Sequence, residues 1–185
     1  MVLPPVAAGE AVLSWAFTET DPRMTPQSIQ APAVADGDDF VLNGTKLFVD
    51  NFSVSDQCLV VCRTAVASAA NEGLSLFLVD CDSPGISHRD LVTLAKDNYS
   101  EVTFSDVRVP GARLIGGLNE GAPIAENLVD LATALLCAQM LGATRKDMEM
   151  AVEWSKYRKA FGQPIGAFQS LQHMCADMLM WVDGG

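Results

Sequence analysis

The sequence predicts an α+β protein: a small β-barrel or sandwich domain followed by a long antiparallel helical hairpin, the beginning of a helix bundle. Three observations carry this. Up to Ile115 the chain is a series of short apolar runs separated by turn chemistry. Beyond Gly116-Gly117 the apolar period changes from two residues to three or four. The segment 122–159 is dominated by Ala, Leu, Met, Glu and Lys, with no proline after Pro123. These observations place the domains at 1–117 and 118–185.

In the first half, Leu13, Trp15 and Phe17 alternate with smaller residues, the pattern of a half-buried strand. Asp36-Gly37 and Asn43-Gly44 read as tight-turn dipeptides. They predict a meander of strands over 33–35, 40–42 and 46–49. Gln57–Arg63 and Leu74–Asp80 are short and rich in Val and Leu. Val102 and Phe104 set one phase, and Val107 and Val109 the opposite one, so a bulge is expected near Asp106. Seven or eight such strands close into a compact barrel or sandwich.

In the second half, residues 131–141 are apolar nearly all round and are expected to be buried. Arg145, Lys146, Glu149, Glu153 and Lys156 give the following turns a wetter face. Gly162 and Pro164 are expected to stop this helix. A second helix presents Phe168, Leu171, Cys175, Met178 and Val182 as one apolar stripe. Joined at 161–166, the two helices form a hairpin whose stripes need something to pack on.

Composition narrows the function. The 185 residues are 49% hydrophobic and 19% charged, as in a folded domain. With 12 basic against 23 acidic residues the formal charge is −11, which repels a phosphate backbone and argues against nucleic acid and polybasic membrane contact. The first basic residue is Arg23, so no signal-peptide n-region is expected. The stretch 131–141 is too short to span a bilayer, and cytoplasmic residence follows as the default. Five cysteines include no C-x-x-C pair, and buried reduced thiols are the expectation.

Four local patterns, in order, resemble the acyl-CoA dehydrogenase family. They are Trp15-Ala16-Phe17-Thr18-Glu19, then Leu42-Asn43-Gly44-Thr45-Lys46-Leu47-Phe48-Val49, then Val102-Thr103-Phe104-Ser105-Asp106-Val107-Arg108-Val109-Pro110, and finally Arg158-Lys159-Ala160-Phe161-Gly162-Gln163-Pro164-Ile165 with Phe168-Gln169. The resemblance implies FAD as cofactor, acyl-CoA as substrate and oligomeric family subunits as partners. It places Thr18 against the flavin ring, where hydrogen bonds tune the cofactor's electronics, and Phe48 as an aromatic packed beside the ring. Arg158 and Phe161 match a hairpin that meets the FAD pyrophosphate of a neighbouring subunit, a task suited to guanidinium. Gln169 matches a glutamine near the same dinucleotide.

The same comparison marks departures. The family's Gly-Ser-Asp after Thr-Glu is replaced by Thr20-Asp21-Pro22-Arg23-Met24-Thr25, and Asp50 stands where a flavin-contacting Thr is common. The family's chemistry removes an acyl α-proton with a carboxylate and passes the β-hydride to the flavin. Some members carry that base as a Glu-Arg pair on the first long C-terminal helix. Here the pair aligns with Ala132-Thr133, and no catalytic residue is assigned. The usual base aligns beyond Gly185, and the N-terminal helical domain before Met1. The expectation is therefore an acyl-CoA dehydrogenase-type oxidoreductase of fatty acid metabolism, present as a fragment inactive alone. The alternatives are a non-catalytic subunit supporting a flavin-bearing partner and a cofactor-free β-barrel interaction module.

Overall fold

The computed structural model describes residues 2–23, 25–65 and 73–185. Its elements are α1 (Leu3–Ala8), β1 (Leu13–Ala16), β2 (Ala33–Asp36), β3 (Asp39–Asp50), β4 (Gln57–Arg63), β5 (Leu74–Asp80), β6 (Ile86–Leu91), β7 (Tyr99–Pro110), β8 (Leu114–Ile115), α2 (Gly121–Tyr157), β9 (Lys159–Ala160), β10 (Gln163–Pro164) and α3 (Gln169–Gly184). The chain divides into two compact units, Met1–Val129 and Asp130–Gly185.

The first unit is a two-sheet sandwich with no closed barrel. One sheet has the order β1-β4-β5-β8 and the other β2-β3-β7-β6. Most ladders are antiparallel, but β1 pairs with β4 in parallel, Leu13 opposite Gln57. Between the sheets lie Ala16, Leu42, Val49, Cys58, Val60, Phe77, Val79, Val102, Phe104, Val107 and Val109. A second core covers the other face of the first sheet, where Phe17, Ile29, Val61, Leu74 and Leu76 meet Ala122 and Ala125 from the start of α2. Two covered faces explain the unbroken burial of β5 from Leu74 to Val79.

Two sequence expectations for this unit are corrected. Ser14 and Ala16, not Leu13 and Trp15, are the buried residues of β1. Trp15 turns to the second core and stacks on Phe17, with centroids 5.6 Å apart and planes at 18°. Asn43-Gly44 is not a turn either, because β3 runs straight through it. The register shifts there, with Leu42 opposite Val107 and Gly44 opposite Phe104, so the extra residue lies on β7. Asp106, at φ 52°, is the expected bulge. Asn43 fastens it: its Nδ2 donates to Asp106 Oδ1 at 3.0 Å, and its Oδ1 accepts from the Asp106 amide at 2.9 Å.

In the second unit, α2 folds back through the β9–β10 hairpin into α3. The stripe of α3 is the inward one: Phe168, Leu171, Cys175 and Met178 are half-buried and Val182 is buried, while the residues between them are exposed. Arg145 Nη2 donates to Asp183 Oδ1 at 3.3 Å, holding the antiparallel arrangement. The helix ends at Tyr157, before Gly162 and Pro164 are reached.

Residues 131–141 are a further correction. Leu131, Leu135, Leu136 and Met140 are exposed, because one neighbouring helix cannot cover a helix that is apolar on every side. Cys137 is exposed for the same reason, whereas Cys58 and Cys62 are buried and Cys81 and Cys175 lie between. By length and composition α2 is also long and apolar enough to cross a membrane, with a mean hydropathy of 1.4 over its best window. The full helix, not the stretch 131–141 alone, reaches that length.

Candidate functional site

Thr18 and Phe48 come together on the first unit. Thr18 follows β1 and is half-exposed, and its carbonyl accepts the Leu47 amide at 2.8 Å. Phe48 sits at a second register shift of β3, between Lys46 opposite Val102 and Val49 opposite Ser100, where β3 carries the extra residue. Its φ is 53°, a left-handed backbone that a bulky side chain adopts at a cost. The bulge turns the ring out of the sandwich, and Phe48 is 54% exposed. The ring's neighbour is Tyr99, edge-on at 6.2 Å and 86°. Burial raises the Tyr99 phenol's pKa, followed by the carboxylates of Asp50 and Asp97. Asp50 is exposed beside this pair and opposite Tyr99 in the ladder. In the divergent segment after Glu19, Thr20, Asp21 and Thr25 are bends and Arg23 pairs with Asp21; a short 3-10 turn, Pro26–Ser28, follows, and Met24 lies outside the described residues.

The other three candidates gather at the turn of the second unit. Arg158 follows α2, its amide bonded to Trp154 O at 2.9 Å and its carbonyl accepting the Ile165 amide at 2.8 Å. Its side chain is exposed. Phe161 and Gly162 form the two-residue loop between β9 and β10, with φ of 53° and 82°. Positive φ at both positions is the I′ pattern that suits strand twist. Phe161 is 95% exposed, although its ring meets Phe168 edge-on at 6.1 Å. Gln169 opens α3 and is exposed. The five candidates thus form two groups, one on each unit.

A cleft of about 640 Å³ in the first unit, lined by residues such as Val2, Asp56, Asp80 and Arg113, contains none of them. Sequence reasoning missed the pair beneath Thr18 and Phe48: Lys46, wholly buried, and Glu19, 2.7 Å apart. The available signal was a lone lysine at a core position of a strand. Along α2, Asp130, Ala132 and Thr133 are all exposed.

A two-sheet sandwich followed by a long helix and a second one is an architecture shared with solved flavin-dependent dehydrogenases. The acyl-CoA dehydrogenase middle domain matches residues 14–107, and the acyl-CoA dehydrogenase C-terminal domain matches residues 119–184. The chain belongs to the acyl-CoA dehydrogenase family. It is 35% identical over 185 residues to a probable acyl-CoA dehydrogenase of Mycobacterium leprae, covering 98% of this chain and 47% of the relative. The structure of butyryl-CoA dehydrogenase from Megasphaera elsdenii superposes with a TM-score of 0.91 at 29% identity, over 99% of this chain and 49% of that one. The FAD complex of PigA superposes with a TM-score of 0.87 at 26% identity, over 99% of this chain and 48% of that one. The chain therefore spans about half the length of the relatives it matches.

Proposed function

We propose that this chain is part of an FAD-dependent oxidoreductase that introduces an α,β double bond into an acyl-CoA thioester, with residues 1–117 as the flavin-facing β domain and 118–185 as the start of the helical domain. The observation that carries the reading is the placement of Phe48. Its left-handed backbone keeps an aromatic ring out of the core, one residue beyond Leu47, whose amide is bonded to the carbonyl of half-exposed Thr18. A strained residue that buries little is the signature of a ligand-facing position.

Thr18 would hydrogen-bond the flavin edge, and Phe48 would offer its ring beside it. Arg158, Phe161 and Gln169 would meet the dinucleotide's phosphate end, where Arg158 neutralises charge. FAD, when bound, supplies the two-electron acceptor. The chain's own residues bind it, orient it and exclude water. The partners are acyl-CoA and further family subunits, identical or related, in the cytoplasm.

No residue of this chain is assigned as the base. Asp130 is two residues from Ala132, about 200° around the helix. An absent base typically lowers the rate by about 10²–10⁴. Ala132-Thr133 also favours the second reading, a non-catalytic subunit beside a flavin-bearing partner.

The test is an FAD titration of the purified chain followed by visible absorbance. Saturable uptake with a perturbed flavin band is expected. A chain that stays colourless overturns the cofactor reading and leaves the interaction module. Acyl-CoA added anaerobically to the loaded chain is expected to leave the flavin oxidised, and bleaching would place a base that the alignment misses.

A further inference from the structure

A lysine in the interior of a sandwich is costly to desolvate. Lys46 has no exposed surface. Its Nζ donates to Glu19 Oε1 at 2.7 Å and to the Phe17 carbonyl at 3.3 Å. Glu19, 8% exposed, accepts two backbone donors as well: the Ala31 amide on Oε1 at 3.0 Å and the Gln30 amide on Oε2 at 2.9 Å. The next residue of β3 continues the pattern, since the Leu47 amide donates to the Thr18 carbonyl at 2.8 Å. Lys46 and Leu47 therefore hold three successive residues: Phe17, Thr18 and Glu19. Phe48, at φ 53°, comes immediately after. Two residues before Lys46, a Cβ on Gly44 would lie 2.8 Å from Ala31 Cβ, so β3 runs hard against the segment that Glu19 caps.

We propose that Lys46 and Glu19 are a positioning pair that fixes the edge carrying Thr18 and Phe48, so that both reach the flavin without rearrangement; this rests on the FAD reading above. A buried ion pair is weak support for stability, because apolar residues of the same volume often serve equally well. What such residues cannot do is bind the Phe17 carbonyl and the Gln30 and Ala31 amides, and so hold Phe17 and Glu19 on either side of Thr18. The pair acts through its neighbours and does not itself touch the ligand.

The experiment separates folding from positioning. Lys46→Met alone leaves a buried carboxylate without its cation and should lower Tm. Lys46→Met combined with Glu19→Gln removes both charges and should bring Tm back close to that of the parent. FAD affinity in this paired variant should stay at least about tenfold weaker, with a bound-flavin band shaped differently from the parent's. A paired variant that folds and takes up FAD with the parent's affinity and spectrum overturns the proposal. Should the paired variant not fold, the parent decides by amide exchange without FAD. The Gln30, Ala31 and Leu47 amides are expected to exchange as slowly as those of β4, and exchange at loop rates overturns the proposal. A parent that takes up no FAD defeats the flavin reading instead, and the same three amides still decide whether the clip is formed.

Discussion

Arg158 is the residue whose charge matters most to the proposed cofactor contact. Its guanidinium is exposed at the end of α2 and makes no ion pair among the described residues. By contrast Arg108, paired with Asp36 and Asp39, is held by carboxylates of this acidic chain. One charge-assisted phosphate contact is worth about 1.5–3 kcal/mol. Arg158→Ala should weaken FAD uptake about tenfold or more with unchanged far-UV circular dichroism. Arg158→Lys should recover part of that, since a point charge lacks the fork. Equal uptake by both variants would return Arg158 to a solvated helix-end cation. A second prediction concerns the buried thiols. Burial pushes Cys58 and Cys62 each up to about 12, from 9.0 in the free side chain. The unfolded chain releases these protons near pH 9 while the folded chain keeps them. Stability is therefore fully present below pH 9 and falls as pH rises toward 12, by up to about 1.4 kcal/mol per thiol per pH unit. Urea midpoints at pH 8 and pH 10.5 should show this fall, and Cys62→Ala should show a shallower one despite starting lower.

Among the elements, the β9–β10 hairpin can be judged by magnitude. A bulky residue in the left-handed region costs about 1–2 kcal/mol, and Asn pays less. Phe161→Asn would create the favoured Asn-Gly pair of an I′ turn, but it would lose the edge-on contact with Phe168, worth about 0.5–1.5 kcal/mol. The two effects nearly offset each other, so thermal unfolding should barely move. FAD-dependent association should weaken all the same, because the exposed ring is gone; association equal to the parent's would make Phe161 a turn residue only. The strands show which elements were legible. β4 and β5 have the bounds that their Val- and Leu-rich runs predict, and the phase slip between Phe104 and Val107 gave away the Asp106 bulge. Asn43-Gly44 misled because the same dipeptide that makes a hairpin turn also fits a bulge, and only the partner strand decides between them. Trp15 misled because alternation identifies two faces, not which one meets the second sheet. The candidate site was legible only through the resemblance. Nothing in a local pattern tells Phe48 from a core phenylalanine until the register shift turns its ring outward.

At the scale of the whole molecule, uncovered apolar surface competes with a charge of −11. The second unit alone exposes Leu135 at 72% and Trp181 at 73%, with Leu136, Met140, Trp154 and Met180 also exposed. Side chains of this size recover about 1.5–3 kcal/mol each when fully buried, so even a few of them outweigh self-repulsion that physiological salt screens beyond about 8 Å. Contiguous apolar faces of this kind mark surfaces that meet a partner or a bilayer. The charge pattern of α2 favours a protein partner: Arg145, Lys146, Asp147, Glu149, Glu153 and Lys156 fill its later turns, and two ion pairs there, Lys146–Glu149 and Lys156–Glu153, join residues three apart on the exposed face. The chain should therefore associate in plain aqueous buffer, with a light-scattering mass that rises with concentration. Replacing Leu135 and Leu136 with Gln should lower that mass without loss of helical signal. A constant monomer mass over a wide concentration range would show that these faces are not association surfaces. Recovery of the chain with neutral liposomes in a flotation experiment, in place of association in buffer, would move α2 from a protein interface to a bilayer.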